Sequence, residues 1–380
     1  MILTQTELIE RCRRAQQLVQ GNGIDAILVF STESEPAGVR YFSDYWPSFE
    51  TAGVLISKEN APALIIGPES RTYAASRSKI AEIIQMMDFR ESSQPDYPGS
   101  KLPSWRDIFS RYGIQKIGIT GFHMFPHTMM QNIIGIPGVT VSNADGLLRQ
   151  LMQKKSPAEI DCLRRAAKIS ELGFKAILEA IRPGMTEVEL CGIATAAMLA
   201  NGAEAAGYPI WCCSGPNSNQ AISRPTLRKV RQSEIIHFSI GAKVEGYSAS
   251  IGRPVVLGPC PEAIRKFMQV GLDASDMTFD LMRAGAPAAE VACKIHNFVI
   301  ERGYGHTLLY GPAHGCGQME CEYPFLETSS TYRLEAGMTF MADMFMAEKN
   351  MGFRWEDGLV VRAKGPAEEL SNFGRKINIL

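Results

Sequence analysis

The sequence predicts an α/β domain followed by an α+β domain, and three observations support this division. Helix and strand signals alternate in the first part of the chain, which is typical of an α/β domain with a mixed sheet. Residues 156–159, Ser-Pro-Ala-Glu, combine a serine, a proline and a glutamate in the spacing that begins a helix. Beyond the helices that follow, strand signals, further helices and glycine turns alternate as in an α+β domain. We therefore expect domains at residues 1–150 and 151–380.

Individual elements follow from local patterns. Dense helix formers predict an opening helix, short apolar runs bounded by turn residues predict buried strands, and two such runs separated by Lys-Glu-Asn predict a hairpin. In the first domain these are a helix at Gln5–Gln20, a strand at Asp25–Phe30, a hairpin of Gly53–Ser57 with Ala63–Ile66, a helix at Ser70–Ile80 and a strand at Lys116–Thr120. In the second domain, helices are expected at Glu159–Ile181, from Thr186 to about Asn201, at Pro261–Gly285 and at Ala288–Gly303.

Composition excludes several classes of protein. The 380 residues are 45% hydrophobic and 21% charged with a net charge of −1, so the long-range field of a nucleic-acid or polybasic membrane binder is absent. The apolar runs are strand-length, far below the ~18 residues that span a bilayer, and the N-terminal residues lack a secretory pattern. Nine scattered cysteines favour free thiols in a reducing cytoplasm. We expect a cytoplasmic protein with a small-molecule substrate or ligand, and neither a nucleic-acid nor a membrane partner.

Four segments carry the polar and glycine pattern of a functional site. They are Ser214–Asn217, Ser239–Arg253, Ala313–Gly317, and Leu334–Phe340 together with Arg354–Gly358. In this order and spacing they resemble the pita-bread fold of the creatinase and Xaa-Pro peptidase family, which includes prolidase and aminopeptidase P. Val39–Tyr45 resembles the N-terminal domain of the same family. The resemblance spans nearly the whole chain and implies a homodimer.

The resemblance also implies where a metal site would lie. Peptidases of this family hold two divalent cations with Asp, Asp, His, Glu and Glu, because hard cations need oxygen ligands and a bridged pair activates water. The corresponding residues here are Ser239, Ser250, His314, Asp343 and Glu356. Neutral hydroxyls cannot replace bridging carboxylates. The family's four carboxylates supply roughly four negative charges for two cations, whereas the two carboxylates kept here supply about two. We therefore expect no dinuclear metal centre and no cofactor.

Creatinase belongs to the family that this chain resembles, and it acts without a metal. The leading hypothesis is a metal-independent, creatinase-like hydrolase of a C–N bond in a small nitrogen-rich molecule. His314 would carry the proton, while Asp343 and Glu356 would position the substrate nitrogen or the attacking water. Creatinase's own catalytic histidine corresponds to Ile222, and one of its glutamates to Gly252. Two alternatives stay open: a catalytically silent binding protein, and an Xaa-Pro dipeptidase.

Other residues are expected to line the substrate pocket. The candidates are Cys321, Glu322, Ser239 and Ser250, with Trp46 and Phe49 reaching in from the partner subunit. In the same loop as Phe49, Glu50 would make the entrance unfavourable to carboxylates. His314, Cys316 and Cys321 form His-x-Cys-x4-Cys, which leaves a soft-metal site or a thiolate nucleophile as further possibilities.

Overall fold

The structure, a computed structural model, describes residues 2–380 and divides into two compact units. The N-terminal unit is Leu3–Met152, and the C-terminal unit is Gln153–Leu380 with Ile2. Both have the fold class that the sequence predicts: the first is α/β and the second α+β. Within residues 2–380, no helix combines the length and apolar character needed to cross a bilayer.

The N-terminal unit is built on a mixed sheet. Its helices are α1 Gln5–Gly21, α2 Ala37–Ser43, α3 Arg71–Arg77, α4 Trp105–Tyr112, α5 His127–Ile134 and α6 Asp145–Met152. Its strands are β1 Ala26–Ser31, β2 Ala52–Ser57, β3 Ala63–Ile66, β4 Glu82–Gln85, β5 Lys116–Thr120 and β6 Thr140–Asn143. Among residues 3–152 these strands form one sheet in the order β4-β3-β2-β1-β5-β6, with β1 antiparallel to β2 and parallel to β5. The predicted hairpin is confirmed as β2 and β3.

The C-terminal unit combines long helices with a large sheet. Its helices are α7 Pro157–Ala180, α8 Glu187–Ala200, α9 Glu262–Leu281 and α10 Ala288–Glu301. Its strands are β7 Ala205–Ala206, β8 Trp211–Ser214, β9 Ile235–Val244, β10 Tyr247–Val256, β11 Ala313–Gly315, β12 Glu322–Leu326, β13 Thr339–Glu348, β14 Met351–Val360, β15 Glu368–Glu369 and β16 Asn378–Ile379. Over residues 153–380 the main path of this sheet runs β12-β11-β13-β14-β10-β9-β7.

Helix starts follow the local sequence signals. Ser156 and Glu159 form a complete capping box at the start of α7, with Pro157 at its first position, and Thr186 with Glu189 does the same for α8. Each side chain accepts a hydrogen bond from a backbone N–H that has no acceptor within the helix. The helix expected over Ser70–Ile80 is shorter, Arg71–Arg77, because Ser78 already has an extended backbone.

The two faces of the large sheet have different roles. Successive side chains of a strand point to opposite faces. Phe353 and Trp355 of β14 belong to the hydrophobic core that contains Phe267 and Met268 of α9, and the Trp355 Nε1 donates to the Met268 carbonyl at 3.1 Å. Arg354 and Glu356, which alternate with these residues, therefore point to the face opposite α9. That face carries the candidate site.

Candidate active site

A row of neighbouring residues crosses four strands on this face. Asp343 of β13 is paired with Glu356 of β14, Glu356 with Gly252 of β10, and Gly252 with Ser239 of β9. A Cβ atom at Gly252 would lie 2.6 Å from the Glu356 Cβ. The missing side chain lets Glu356 reach across β10, where the Ser239 hydroxyl donates to its Oε2 at 2.5 Å. The register of the sheet therefore brings together residues more than a hundred positions apart.

Asp343 is held on one oxygen and unpartnered on the other. The Tyr310 hydroxyl and Nη1 of Arg354 donate to its Oδ2 at 2.7 and 2.6 Å. Oδ1 is buried and has no hydrogen-bond partner among residues 2–380. Burial raises the pKa of Asp343, and the Arg354 guanidinium opposes that rise. The guanidinium carbon of Arg354 lies 4.9 Å from the centroid of the Trp211 ring and 5.5 Å from that of the Phe345 ring.

Glu320, which the sequence analysis did not single out, completes an acidic cluster with His314 and Glu356. Ligand-type atoms of the three side chains lie within 4.8 Å of one another. Burial, followed by the neighbouring Glu320 carboxylate, raises the pKa of Glu356 to about 8. The side chain of Glu320 is 18% exposed, whereas Glu356 as a residue is 1% exposed. Glu320 therefore lies on the solvent side of the cluster.

His314 points its Nε2 atom into this cluster. Its Nδ1 lies 3.1 Å from the Gly315 carbonyl, which can only accept, so Nδ1 carries the proton in this contact. Nε2 lies 3.7 Å from Glu320 Oε1 and 4.0 Å from Asp343 Oδ2. Burial lowers the pKa of His314, but the hydrogen bond to Cys321 and the carboxylates of Asp343 and Glu356 outweigh it and raise the value to about 9.

The loop that carries Glu320 is anchored on both sides. The Lys155 Nζ pairs with Glu322 at 2.9 Å, and both side chains are less than one-tenth exposed. The Lys243 Nζ donates to the Gln318 carbonyl at 2.5 Å, and the Ser248 N–H donates to the Gly317 carbonyl at 2.8 Å. These contacts come from distant parts of the chain, so local sequence could not have placed Glu320. An acidic residue a short distance after His314 was the one available signal.

Two tyrosines also enter the site. The Tyr208 and Ser239 hydroxyls lie 2.6 Å apart, and Ser239 bonds onward to Glu356. Burial and the charges of Glu356 and Glu320 raise the pKa of Tyr208 well above its ordinary value. The Tyr310 hydroxyl donates to Asp343 on the other side of the site. Ser250 is fully buried on β10 opposite Gly241, and a Cβ at Gly241 would lie 2.8 Å from its Oγ.

Several predicted pocket residues have other surroundings. Glu322 forms the buried pair with Lys155 and accepts from the Met319 N–H at 2.9 Å, and its role in substrate binding stays a prediction. Cys316 is fully buried, and burial raises its pKa to about 12, which is unsuited to a thiolate nucleophile. Among residues 2–380, the possible metal-ligand atoms that lie close together belong to His314 and the two glutamates, and not to Cys316 or Cys321. Cys321 is exposed and lies against His314.

The N-terminal candidates differ in their environment. Phe49 is 81% exposed with a positive φ of 59°, and its N–H donates to Glu33 Oε2 at 3.0 Å. Trp46 is half-buried, and its Nε1 donates to the Glu33 carbonyl at 3.0 Å. The expectation for Glu50 is wrong: it is 3% exposed and accepts hydrogen bonds from the backbone of Glu69 and Ser70. Substrate binding by Trp46 and Phe49 stays a prediction.

Comparison with known proteins defines the family. The profile of metallopeptidase family M24 matches residues 161–363, and that of the creatinase/prolidase N-terminal domain matches residues 11–151. The chain belongs to metallopeptidase family M24, with a pita-bread C-terminal domain and a creatinase/prolidase-type N-terminal domain. The expected family resemblance is thereby confirmed.

Individual relatives match this chain over nearly its whole length. The "Uncharacterized peptidase YqhT" of Bacillus subtilis is 24% identical over 345 residues, covering 90% of this chain and 92% of that protein. The solved Xaa-Pro dipeptidase from Bacillus anthracis has a TM-score of 0.84 at 23% identity and covers 98% and 100% of the two chains. The prolidase from Pyrococcus horikoshii OT3 has a TM-score of 0.84 at 21% identity and covers 97% and 99%. At these identities the solved structures establish the fold.

The residues present do not fit a pair of cations. Ser239 donates its hydroxyl to Glu356 and offers no carboxylate. Ser250 likewise offers a neutral oxygen. Asp343 is ion-paired with Arg354, so its charge is already balanced. The remaining charges of Glu320 and Glu356 are too few for two divalent ions.

Proposed function

We propose that the protein is a hydrolase that cleaves the amide C–N bond of a small, peptide-like substrate. Support comes from membership of metallopeptidase family M24 and from relatives named as peptidases, Xaa-Pro dipeptidase and prolidase. These comparisons favour the peptidase alternative over the creatinase-like main hypothesis. Xaa-Pro dipeptides are therefore the substrate class to test first.

The observation that carries the proposal is the hydrogen bonding of the two carboxylate oxygens of Asp343. Tyr310 and Arg354 hold one of its oxygens, while Oδ1 is buried and has no hydrogen-bond partner within residues 2–380, next to the cluster of His314, Glu320 and Glu356. An oriented carboxylate oxygen of this kind can take a proton from an attacking water. The water oxygen then forms a bond to the carbonyl carbon, the C–N bond breaks, and Asp343 returns the proton to the leaving nitrogen. His314, Glu320 and Glu356 position the water and the carbonyl group.

The direction of substrate entry follows from exposure. Asp343 and Glu356 are 3% and 1% exposed, whereas the Glu320 side chain is 18% exposed. Glu320 is thus the member of the group that solvent reaches most easily. A small substrate would approach past Glu320, and exclusion of bulk water around Asp343 would strengthen the electrostatic interactions of the deeper residues.

The test uses purified full-length protein and a panel of dipeptides. Release of free proline from Xaa-Pro dipeptides is expected, with slower cleavage of matched Xaa-Ala dipeptides. Asp343→Asn should lower kcat by at least about 100-fold, whereas Asp343→Glu, which restores the family's side chain, should retain activity. Circular dichroism of both variants excludes misfolding. Creatine hydrolysis without dipeptide cleavage would contradict the proposal and support the creatinase-like hypothesis.

A silent binding protein is the second candidate, and the hydroxyls of Ser239 and Ser250 favour it. They fill positions where the family's peptidases have carboxylates, and Ser239 is committed to Glu356. In that case a dipeptide would raise the melting temperature without being consumed. Turnover in the same sample would exclude this candidate.

We also infer a cytoplasmic homodimer, with Trp46 and Phe49 contributing to the partner's pocket. The family resemblance supports the dimer, and nine free cysteines fit a reducing compartment. Light scattering should give twice the mass of one chain. If the Phe49 ring contributes to substrate binding and not to catalysis, Phe49→Ala should raise KM and leave kcat nearly unchanged.

A further inference from the structure

The sheet of the N-terminal unit has a point at which its connections leave toward opposite faces. After β1 the chain passes to α2, whose Val39 belongs to the same core cluster as Val29 of β1. After β5 it passes to α5, whose Met129 belongs to the cluster that contains Phe30, on the other face of β1. Because β1 and β5 are parallel neighbours, a crevice opens between their carboxyl ends. Open α/β sheets bind their ligands at such a point.

A cavity of about 920 Å³ lies at this edge of the sheet. Among the residues that line it, residues 32–34 follow β1, residues 87–88 follow β4, and Pro126 and Met129 lie beyond β5. Residues 49–51, which lead into the antiparallel strand β2, complete this side. The volume falls within the range of roughly 300–1,000 Å³ that is usual for small-molecule sites.

The described lining of the cavity carries more carboxylates than basic groups. The carboxylates are those of Glu33, Glu50, Asp88 and Glu91, and the guanidinium is that of Arg90. Glu50 is occupied by the backbone hydrogen bonds of its own loop contacts. Arg90 donates to the Pro95 carbonyl and to the Gln94 side chain, which are neutral acceptors. The lining is therefore negatively charged, which favours a cation and disfavours an anion.

Two of the carboxylates are held in position by neutral donors. The Trp105 Nε1 and the Asn132 side chain donate to Asp88 Oδ2 at 2.6 and 2.9 Å. The Phe49 N–H donates to Glu33 Oε2 at 3.0 Å. Since these donors carry no charge, both carboxylates keep their negative charge for a cation. Their orientation is set before a ligand binds, which lowers the entropic cost of binding.

Phe49 adds an apolar surface to this charged lining. Its ring is largely exposed, and its left-handed φ of 59° is a conformation that a bulky residue rarely adopts. Met87 and Pro126, both half-buried, line the same cavity. An aromatic ring beside carboxylates suits a ligand that has both an apolar body and a positive charge.

We propose that the N-terminal unit binds a small organic amine whose positive charge is balanced by Asp88 and Glu33 and whose apolar body packs against Phe49. The inference goes beyond the proposed function, because the cavity is lined by the N-terminal unit whereas Asp343 belongs to the C-terminal unit. Either proposal can fail without the other. Phe49 is also a candidate for the partner's pocket, so the test relies on the two carboxylates.

The experiment titrates purified full-length protein with phenethylamine and isoamylamine by calorimetry. We expect saturable binding of one molecule per chain for at least one of the two amines. Phenylacetate and 2-phenylethanol have the same ring as phenethylamine with a negative charge or with none. Both should bind at least about tenfold more weakly than phenethylamine, since they cannot form the charge-assisted hydrogen bond.

Variants of the carboxylates locate the amine. Asp88→Asn keeps an oxygen acceptor for Trp105 and should weaken amine binding at least about tenfold, and Glu33→Gln should weaken it in the same direction. The matched control Glu59→Gln, an exposed glutamate between β2 and β3, should bind as the wild type does. Urea denaturation verifies that the three variants are folded.

Three outcomes would overturn the inference. Affinity that is retained in Asp88→Asn but lost in Glu320→Gln would place the amine in the C-terminal unit. Equal affinity for phenylacetate would show that the charge of the lining does not select the ligand. No saturable binding of either amine would show that the cavity is not a site for this class. Dipeptide cleavage is measured on the same preparation, and its absence would contradict only the proposed function.

Discussion

The hydroxyl of Ser239 donates to Oε2 of Glu356 across Gly252, at a distance of 2.5 Å. The two residues are on strands that do not pair directly, since β10 lies between them. The contact depends on the absence of a side chain at Gly252, where a Cβ would meet the Glu356 Cβ at 2.6 Å. A serine at position 239 thus orients a buried carboxylate from across the intervening strand.

The first prediction concerns this glycine. Gly252→Ala should displace Glu356, because the contact also involves the Glu356 backbone nitrogen at 3.0 Å. We expect a loss of about 1–3 kcal/mol in the free energy of unfolding together with loss of activity. Urea denaturation measures the former. Gly192→Ala in helix α8, where a Cβ meets no atom of the described residues within 4 Å, is the control and should be neutral or stabilising.

The second prediction separates two glutamates that are two positions apart. Glu322→Gln breaks a buried ion pair with Lys155 and should lower the free energy of unfolding by about 3 kcal/mol. Glu320→Gln removes a carboxylate that lies close to Glu356 and should leave stability unchanged or improve it, while activity is lost. Thermal unfolding and kcat are measured for both variants. Equal loss of stability in the two would contradict the assignment.

The third prediction concerns the buried pair of Arg354 and Asp343. Arg354→Met leaves the Asp343 carboxylate buried with the Tyr310 hydroxyl as its hydrogen-bond donor and His314 at 4.0 Å, and should cost about 3–5 kcal/mol. Adding Asp343→Asn removes the uncompensated charge and should recover a large part of this loss. Urea denaturation of both singles and the double gives the coupling energy. Additive effects of the two changes would show that the pair is not coupled.

The fourth prediction concerns pH. His237 on β9 is fully buried, and neither ring nitrogen has a hydrogen-bond partner of normal geometry among residues 2–380. Burial, with the nearby Arg354 charge, lowers its pKa to about 3. The unfolded chain takes up this proton near the ordinary value of about 6.5, whereas the folded chain does not. Stability is therefore intact above that pH and falls as the pH decreases toward 3.

The measurement compares wild type with His237→Phe between pH 7.5 and 5. The difference in unfolding free energy should shift in favour of the variant by about 2 kcal/mol over this range. Phenylalanine is similar in shape to histidine but takes up no proton, so the variant lacks this loss of stability at low pH. It keeps the packing against Phe345, whose ring centroid lies 6.2 Å from that of His237. Parallel pH curves for the two proteins would contradict the assignment.

The sequence by itself determined the fold class and much of the site's composition. Periodicity and capping signals are local, so Ser156 with Glu159 and Thr186 with Glu189 mark helix starts that the structure contains. The motif order placed His314, Asp343 and Glu356 on one site because strand alternation and register follow from the pattern of the sheet.

Only the tertiary structure decided what these residues contact. Glu320 reaches the site because Lys155, Lys243 and Ser248 hold its loop from distant positions. Glu50 accepts backbone hydrogen bonds instead of facing a ligand. Such contacts depend on loop conformation and on residues far apart in the chain, and neither leaves a periodic signal in the sequence. For this reason the strand residues of the site could be predicted in advance, whereas the glutamate beside His314 could not.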